Sequence, residues 1–364
     1  MSASRTTPAG EEGKLPVEEA AVLECGNVFP VAAGQPLPGY LPPEDPDSVA
    51  PRVFYARAGH PAVWRLESAL AALEGGETAV CAASGMAAIA QTMFSLLSAG
   101  DTLLYSRWAY PNTVDFFEQH LARLGVRVVA SDSGDPASLA RDVDAFKPKV
   151  LFFEPVGNPS LAFSDPAGVA GICRPLGVVS VADNSLLSPV LLRPLEAGID
   201  IVVHSLTKII GGFGKAMGGV TVGRAELLDP VARLRWSMGS VLAPLLADRI
   251  LEGIDSLPER VARTSASALQ IARFLAADRR VSRVVYPLLP DYPWGESFSH
   301  VCSAGGGIVT FFHVGGTGAV HEMARRADTI RFAPSFGKSV TTCNGGAAME
   351  RYYRQPPGFI RLSV

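Results

Sequence analysis

Short apolar runs and amphipathic segments alternate along most of this chain. Regular patterning begins at WRLESALAALEG, where apolar residues fall at helical spacing until Gly75 and Gly76 end the helix. Apolar runs follow at residues 78–83, 102–106, 126–131, 149–154, 178–183 and 201–205. Between them, residues 87–99, 114–125, 137–146 and 166–177 carry helical patterns. Strands apolar on both faces, separated by helices, predict an α/β fold with a mostly parallel central sheet covered by helices. After about residue 245 the texture changes to a long helical stretch, residues 247–276, then VSRVVYP, GGIVTFFHV, the helix AVHEMARRA, TIRFAPSF and FIRLSV. That order predicts a smaller C-terminal α+β domain. Residues 1–50, rich in Pro, Gly and acids, read as an irregular arm, disordered or wrapped on a neighbour. The expected units are therefore 1–50, 51–245 and 246–364.

Composition narrows the classes. With 364 residues, 48% of them hydrophobic, a large core is available, since a chain of this size buries ~75% of its unfolded surface. A net charge of -3 gives no electrostatic case for nucleic acid or an anionic membrane. The five cysteines are scattered, odd in number and without a CxxC pair, so neither a disulfide framework nor a zinc site is indicated. No metal is expected. The N-terminal MSASRTTPAGEEGK lacks a signal-peptide core, and no run reaches the ~20 apolar residues of a membrane helix. A soluble, cytoplasmic protein of a reducing compartment is expected.

The chemistry gathers where apolar runs end. KVLFFE gives Glu154, followed by Asn158 and Pro159; VVSVAD gives Asp183 and Asn184; IVVHS gives His204 and Ser205, then Thr207 and Lys208. Ligands of open parallel sheets bind beyond the carboxyl ends of the strands, so these clusters should converge. TAVCAA runs through Ser84, Gly85 and Met86 into a helix, whose start can offer N–H groups to an anion. A lysine amine, a carboxylate, hydroxyls and a phosphate-ready helix start are the set that pyridoxal 5'-phosphate (PLP) requires. A phosphate-loop reading of GGFGKA fails, because Ala216 stands where Ser or Thr is required. Glu154 is expected to support its loop, and His60, His204 and His313 to satisfy core or loop hydrogen bonds.

SLTKIIGGFGKAMGGV resembles the lysine motif of the cysteine/methionine-metabolism PLP enzymes, S-x-T-K-x-x-x-G followed by M-G-G. This family, of PLP fold type I, includes cystathionine γ-synthase, cystathionine γ-lyase, methionine γ-lyase and O-acylhomoserine sulfhydrylases. The similarity runs from about Tyr55 to Val364. It implies that Lys208 forms the Schiff base with PLP and shuttles the proton. Asp183 would pair with the pyridine nitrogen, and Ser205, Thr207, Gly85 and Met86 would bind phosphate. Tyr55 and Arg57, in YAR, would reach the phosphate of the neighbouring subunit. Tyr110 would stack on the cofactor and act as acid or base, with Asn158 near the ring hydroxyl. Arg361 and Ser335 would hold the substrate carboxylate.

Departures from the family pattern fall on the substrate side. YPNT replaces Y-G-x-T, placing Asn112 where methionine γ-lyases carry a cysteine and making it a candidate substrate contact. GHPA replaces G-N-P-T, SFGK replaces S-L-G-G, Val340 falls where several members have a glutamate, and the sequence stops at RLSV. The resemblance implies γ-elimination on an L-amino acid with a Cγ leaving group, a methionine or cystathionine type or an unusual analogue. The products would be a 2-oxo acid and ammonia. γ-Replacement on an activated homoserine is the alternative, and a PLP-carrying protein without turnover is the non-enzyme alternative. A homo-oligomer is implied, a dimer as the smallest active unit and a tetramer as the usual assembly.

Overall fold

The structure, a computed structural model, describes residues 39–44 and 55–364. Most of the expected arm, residues 1–50, lies outside the described residues, as does Cys25. Seven strands form the larger sheet: β1 (Thr78–Ala82), β2 (Thr102–Ser106), β3 (Arg127–Ser131), β4 (Val150–Phe153), β5 (Val179–Asp183), β6 (Ile201–Ser205) and β7 (Gly219–Gly223). Their order is β1-β7-β6-β5-β4-β2-β3, and only β7 runs antiparallel to its neighbours. A second sheet has the order β10-β11-β12-β9-β8, from β8 (Val281–Val285), β9 (Ile308–His313), β10 (Arg331–Phe332), β11 (Thr342–Gly345) and β12 (Phe359–Ser363). It is antiparallel apart from the β10–β11 pair. The mostly parallel sheet and the second C-terminal sheet match the fold class that the patterning predicts.

All six apolar runs become strands; five are largely buried in the sheet, while β3 at its edge keeps Arg127 and Ala130 exposed. The first helix, Pro61–Glu74, ends at Gly75 in the left-handed conformation and starts with His60 Nδ1 accepting from Ala62 N. The segment 114–125 departs from a plain helix. Its widened turn over Phe116–Leu121 lets Phe117 enter the core, 5.2 Å from Phe152, while Phe116 meets Phe94 at 5.5 Å. The stretch 247–276 divides into two helices, Pro244–Asp255 and Leu257–Ala276, with Pro258 in the first turn of the second. Ala247, Ile250, Leu257 and Val261 pack with Leu66, Leu70 and Val222, on the larger sheet.

Two further elements escape the periodic pattern. The helix Ala225–Met238 contains Pro230, and strand β7 is only five residues long with a glycine at each end. Gly219 is required by crowding: a Cβ there would stand 2.1 Å from the carbonyl oxygen of Ser84. The turn into the helix Gly85–Leu96 thus rests directly on β7.

Among the described residues no helix is long and apolar enough to cross a membrane. Cys81, Cys173, Cys302 and Cys343 are buried, and burial pushes the last three thiols up to about 12. One buried ion pair ties three elements together. Glu67, of the first helix, accepts from Arg235 Nη1 at 2.5 Å and from Cys81 N of β1 at 2.7 Å. Removing one member of such a pair strands the other in a low dielectric, which costs about 3–5 kcal/mol. Arg235→Ala is expected to lose about that much unfolding free energy in urea titration. Glu67→Gln combined with Arg235→Met should recover part of it. A loss below about 1 kcal/mol would show that the pair is solvated like a surface one.

Candidate active site

Strands β4, β5 and β6 run parallel, with Phe153 opposite Ala182 and Asp183 opposite Val203. Their carboxyl ends therefore deliver Glu154, Asp183 and Ser205 to one edge. Beyond that edge, closed on its far side by β12, lies a cavity of about 410 Å³. Eleven of the thirteen sequence-predicted site residues line it. From the larger sheet and its loops come Gly85, Met86, Tyr110, Asn112, Asn158, Asp183, Ser205, Thr207 and Lys208; from the second come Ser335 and Arg361. Tyr55 and Arg57 lie away from it. They are exposed, the Arg57 guanidinium stacks 5.2 Å over the Tyr55 ring, and its Nη1 donates to Trp236 O.

The lysine sits in a tight turn. Lys208 N donates to Ser205 O, and Thr207 Oγ1 exchanges hydrogen bonds with the backbone of Gly218, at 3.2 and 3.3 Å. Gly337 (φ +71°) lies against the same turn, so close that a Cβ would stand 2.7 Å from Ile209 N. The amine donates to Ser335 Oγ at 2.7 Å and lies 5.0 Å over the Phe336 ring. Burial, then the Arg361 and Lys338 charges, pull the amine down to about 8, against the opposing pull of Asp183. Ser335 holds φ +82°, a left-handed conformation costing about 1–2 kcal/mol. Its hydroxyl and carbonyl are both engaged, which holds it there.

The candidate anion cradle is made mostly of backbone. Ser84 Oγ caps the helix Gly85–Leu96 by accepting from Ala87 N at 3.1 Å. The N–H groups of Gly85 and Met86 precede the first intrahelical bond and lie on the cavity wall. A Cβ at Gly85 would stand 2.8 Å from Ser205 Cβ, so only glycine leaves the room between turn and hydroxyl. Asp183 accepts from Ser185 N at 3.0 Å; burial raises its pKa, while the Ser185 bonds, His204 and Lys208 oppose. The neighbouring Glu154 is spent on structure: it accepts from Tyr110 N at 2.6 Å and Asn158 N at 3.3 Å. Burial and the nearby Asp183 charge hold its carboxyl well above the usual range. Behind them His204 Nε2 and Glu74 Oε2 form a buried contact at 3.0 Å.

Arg361, on β12, is 1% exposed. Nη1 donates to Asn158 Oδ1 at 2.9 Å and to Tyr353 Oη at 3.0 Å, and Nη2 donates to Ser335 O at 2.7 Å. Nε is buried with no partner among the described residues. The Nε–Nη2 edge is thus open for a planar anion.

Sequence reasoning missed several wall residues. Tyr352 Oη donates to Asn112 Oδ1 at 2.7 Å, and its ring meets Tyr110 edge-on at 6.4 Å. Ser185 Oγ accepts from Ser205 N at 2.6 Å. The adjacent tyrosines in the polar stretch ERYYRQPP were the available signal.

The residues present fit PLP: a backbone cradle with hydroxyls for its phosphate, a carboxyl for its ring nitrogen, and a desolvated amine for its aldehyde. A testable consequence concerns the cofactor-free chain. Only a neutral amine is acylated, so trace labelling with acetic anhydride should show Lys208 reactivity rising through about pH 8. A free lysine derivative labelled alongside should rise near its ordinary value, about 10.4, and a coincident Lys208 profile would remove the desolvation argument.

Comparison with known proteins agrees with this geometry. The family model described as Cys/Met metabolism PLP-dependent enzyme matches residues 46–356. The chain is 35% identical over 340 residues to O-succinylhomoserine sulfhydrylase of Pseudomonas aeruginosa, covering 93% of this chain and 81% of that one. It is also 35% identical over 322 residues to L-methionine gamma-lyase of Pseudomonas putida, covering 85% and 81%. The solved cystathionine gamma synthase of Xanthomonas oryzae superposes with a TM-score of 0.82 at 28% identity, covering 96% and 94%. The protein belongs to the PLP-dependent enzymes of cysteine and methionine metabolism, a family of lyases and transferases.

Proposed function

We propose that the enzyme catalyses γ-elimination on an L-amino acid with one carboxylate and a neutral γ-substituent, such as the thioether of methionine. One observation carries this reading. Among the described residues, the only cationic side chains lining the cavity are Lys208 and Arg361, and both have assigned work. A second carboxylate, as on cystathionine or a succinyl ester, would meet no further cation on this chain's cavity wall and would face Glu154 and Asp183. Desolvating an unpaired charge is costly. The remaining wall, with Met217, Met349, Phe336 and Tyr352, suits an apolar sulfur substituent.

Bound PLP supplies an electron sink for charge released at Cα. Arg361 orients the substrate through its carboxylate. Lys208, with an amine near neutrality, takes the Cα proton and returns it later. Asp183 keeps a negative charge available to the ring nitrogen. Tyr110 donates a proton to the departing sulfur. With one water consumed, methionine yields methanethiol, a 2-oxo acid and ammonium.

A substrate panel tests the reading. Release of 2-oxobutanoate from methionine is expected at a kcat/KM at least about tenfold above that from cystathionine or O-succinylhomoserine, the effect of about 1.4 kcal/mol. If O-succinylhomoserine is preferred, with product formed only when a thiol is added, γ-replacement takes its place.

The position of Tyr55 and Arg57 off their own chain's cavity supports a site shared between two subunits, with a dimer as the smallest active unit and the pair reaching the neighbour's phosphate. Lys208→Ala chains and Arg57→Ala chains, each nearly inactive, should regain activity when unfolded and refolded together. In a mixed dimer one site then has both residues intact. Confirmed mixed dimers without activity would place Arg57 in its own chain's site.

A further inference from the structure

Arg361 has five N–H donors and three hydrogen-bond partners. Asn158 Oδ1 and Tyr353 Oη take both Nη1 hydrogens, and Ser335 O takes one from Nη2. What remains is Nε and one Nη2 hydrogen, which together form a side-on fork. The fork is useful only while the guanidinium cannot turn about its own axis. Asn158 and Ser335 sit on loops that also hold other groups: Asn158 N is bound by Glu154, and Ser335 Oγ by Lys208. Tyr353 differs. Its ring is 9% exposed, packed against Phe359 at 5.8 Å and Tyr352 at 4.9 Å, and 5.7 Å from Arg361 Cζ. Its hydroxyl hydrogen has no acceptor among the described residues, so the oxygen accepts from Arg361 without competition.

We propose that Tyr353 is a positioning residue for substrate recognition: its hydroxyl fixes the rotation of Arg361 so that the Nε–Nη2 edge meets the substrate carboxylate. The assignment rests on Arg361 being the carboxylate-binding group. Loss of the hydroxyl leaves one Nη1 hydrogen buried without an acceptor, and the guanidinium turns to seek another. The cost then falls on carboxylate binding and spares the chemistry at Cα. The same geometry explains why a tyrosine and not a phenylalanine stands there, since the ring alone would satisfy the packing.

The test uses the PLP-loaded enzyme and two competitive ligands, L-norleucine and pentylamine, which is the same chain without the carboxylate. Tyr353→Phe keeps the ring and its packing. It should raise the inhibition constant of norleucine and the KM of the substrate by about tenfold, the scale of a hydrogen bond to a charged group. Pentylamine affinity should stay within about twofold, and kcat should fall less than KM rises. Equal weakening of norleucine and pentylamine marks a packing role and overturns the proposal, as does no change in either. Arg361→Ala, measured in parallel, separates the premises. If it weakens norleucine selectively and Tyr353→Phe does not, the positioning role fails and the arginine assignment stands. If neither variant discriminates between the ligands, the arginine assignment itself fails.

Discussion

Ser335 joins the two sheets at the point where chemistry is expected. Its hydroxyl takes the Lys208 amine from the larger sheet's loop, and its carbonyl takes Arg361 from β12. From Arg361 the chain of bonds continues to Asn158 and, through the Asn158 amide, to Glu154 at the end of β4. One residue in a left-handed conformation thus sets the distance between the group that would move a proton and the group that would hold a carboxylate. The strain of that conformation is small beside the three buried ionic groups that it aligns.

The buried charges of the cavity explain each other. Lys208 and Arg361 repel, which helps pull the lysine amine down; Glu154 and Asp183 repel, which helps push the Glu154 carboxyl up. Asp183 and Lys208 attract one another, and backbone N–H groups take the oxygens of Glu154. Burial is the largest influence on Lys208, Asp183 and Glu154 alike. An enclosed wall, more than any single neighbour, therefore sets the protonation states.

Much of this site was legible in the sequence because it lies at strand ends. A polar residue directly after a fully apolar run, as at Asp183 or Ser205, has one place to go in a parallel sheet. Lys208 was legible for the same reason, and Gly85 and Met86 because they open a helix. β7 was hidden because its glycines serve close approach, which lowers strand propensity exactly where the backbone must touch Ser84. Tyr352 and Tyr353 were hidden because their positions depend on how a short helix, Ala347–Tyr352, docks between the sheets. No local pattern encodes that docking. Tyr55 and Arg57 illustrate the opposite limit: the motif is local and plain, yet the single chain places it away from the cavity.

The contact between Gly219 and Ser84 has a consequence for how this enzyme can change. Around the turn at Gly85 there is no room for side chains, with Gly219 against the Ser84 carbonyl and Gly85 against Ser205 Cβ, so nearly any substitution there moves the main chain. The opposite wall is built from side-chain ends: Met217, Met349, Tyr352 and Asn112. Variation is therefore cheap on one side and forbidden on the other. A lineage carrying this architecture can vary the side-chain wall one residue at a time, while the glycine-packed turn is inherited as a nearly fixed piece of geometry.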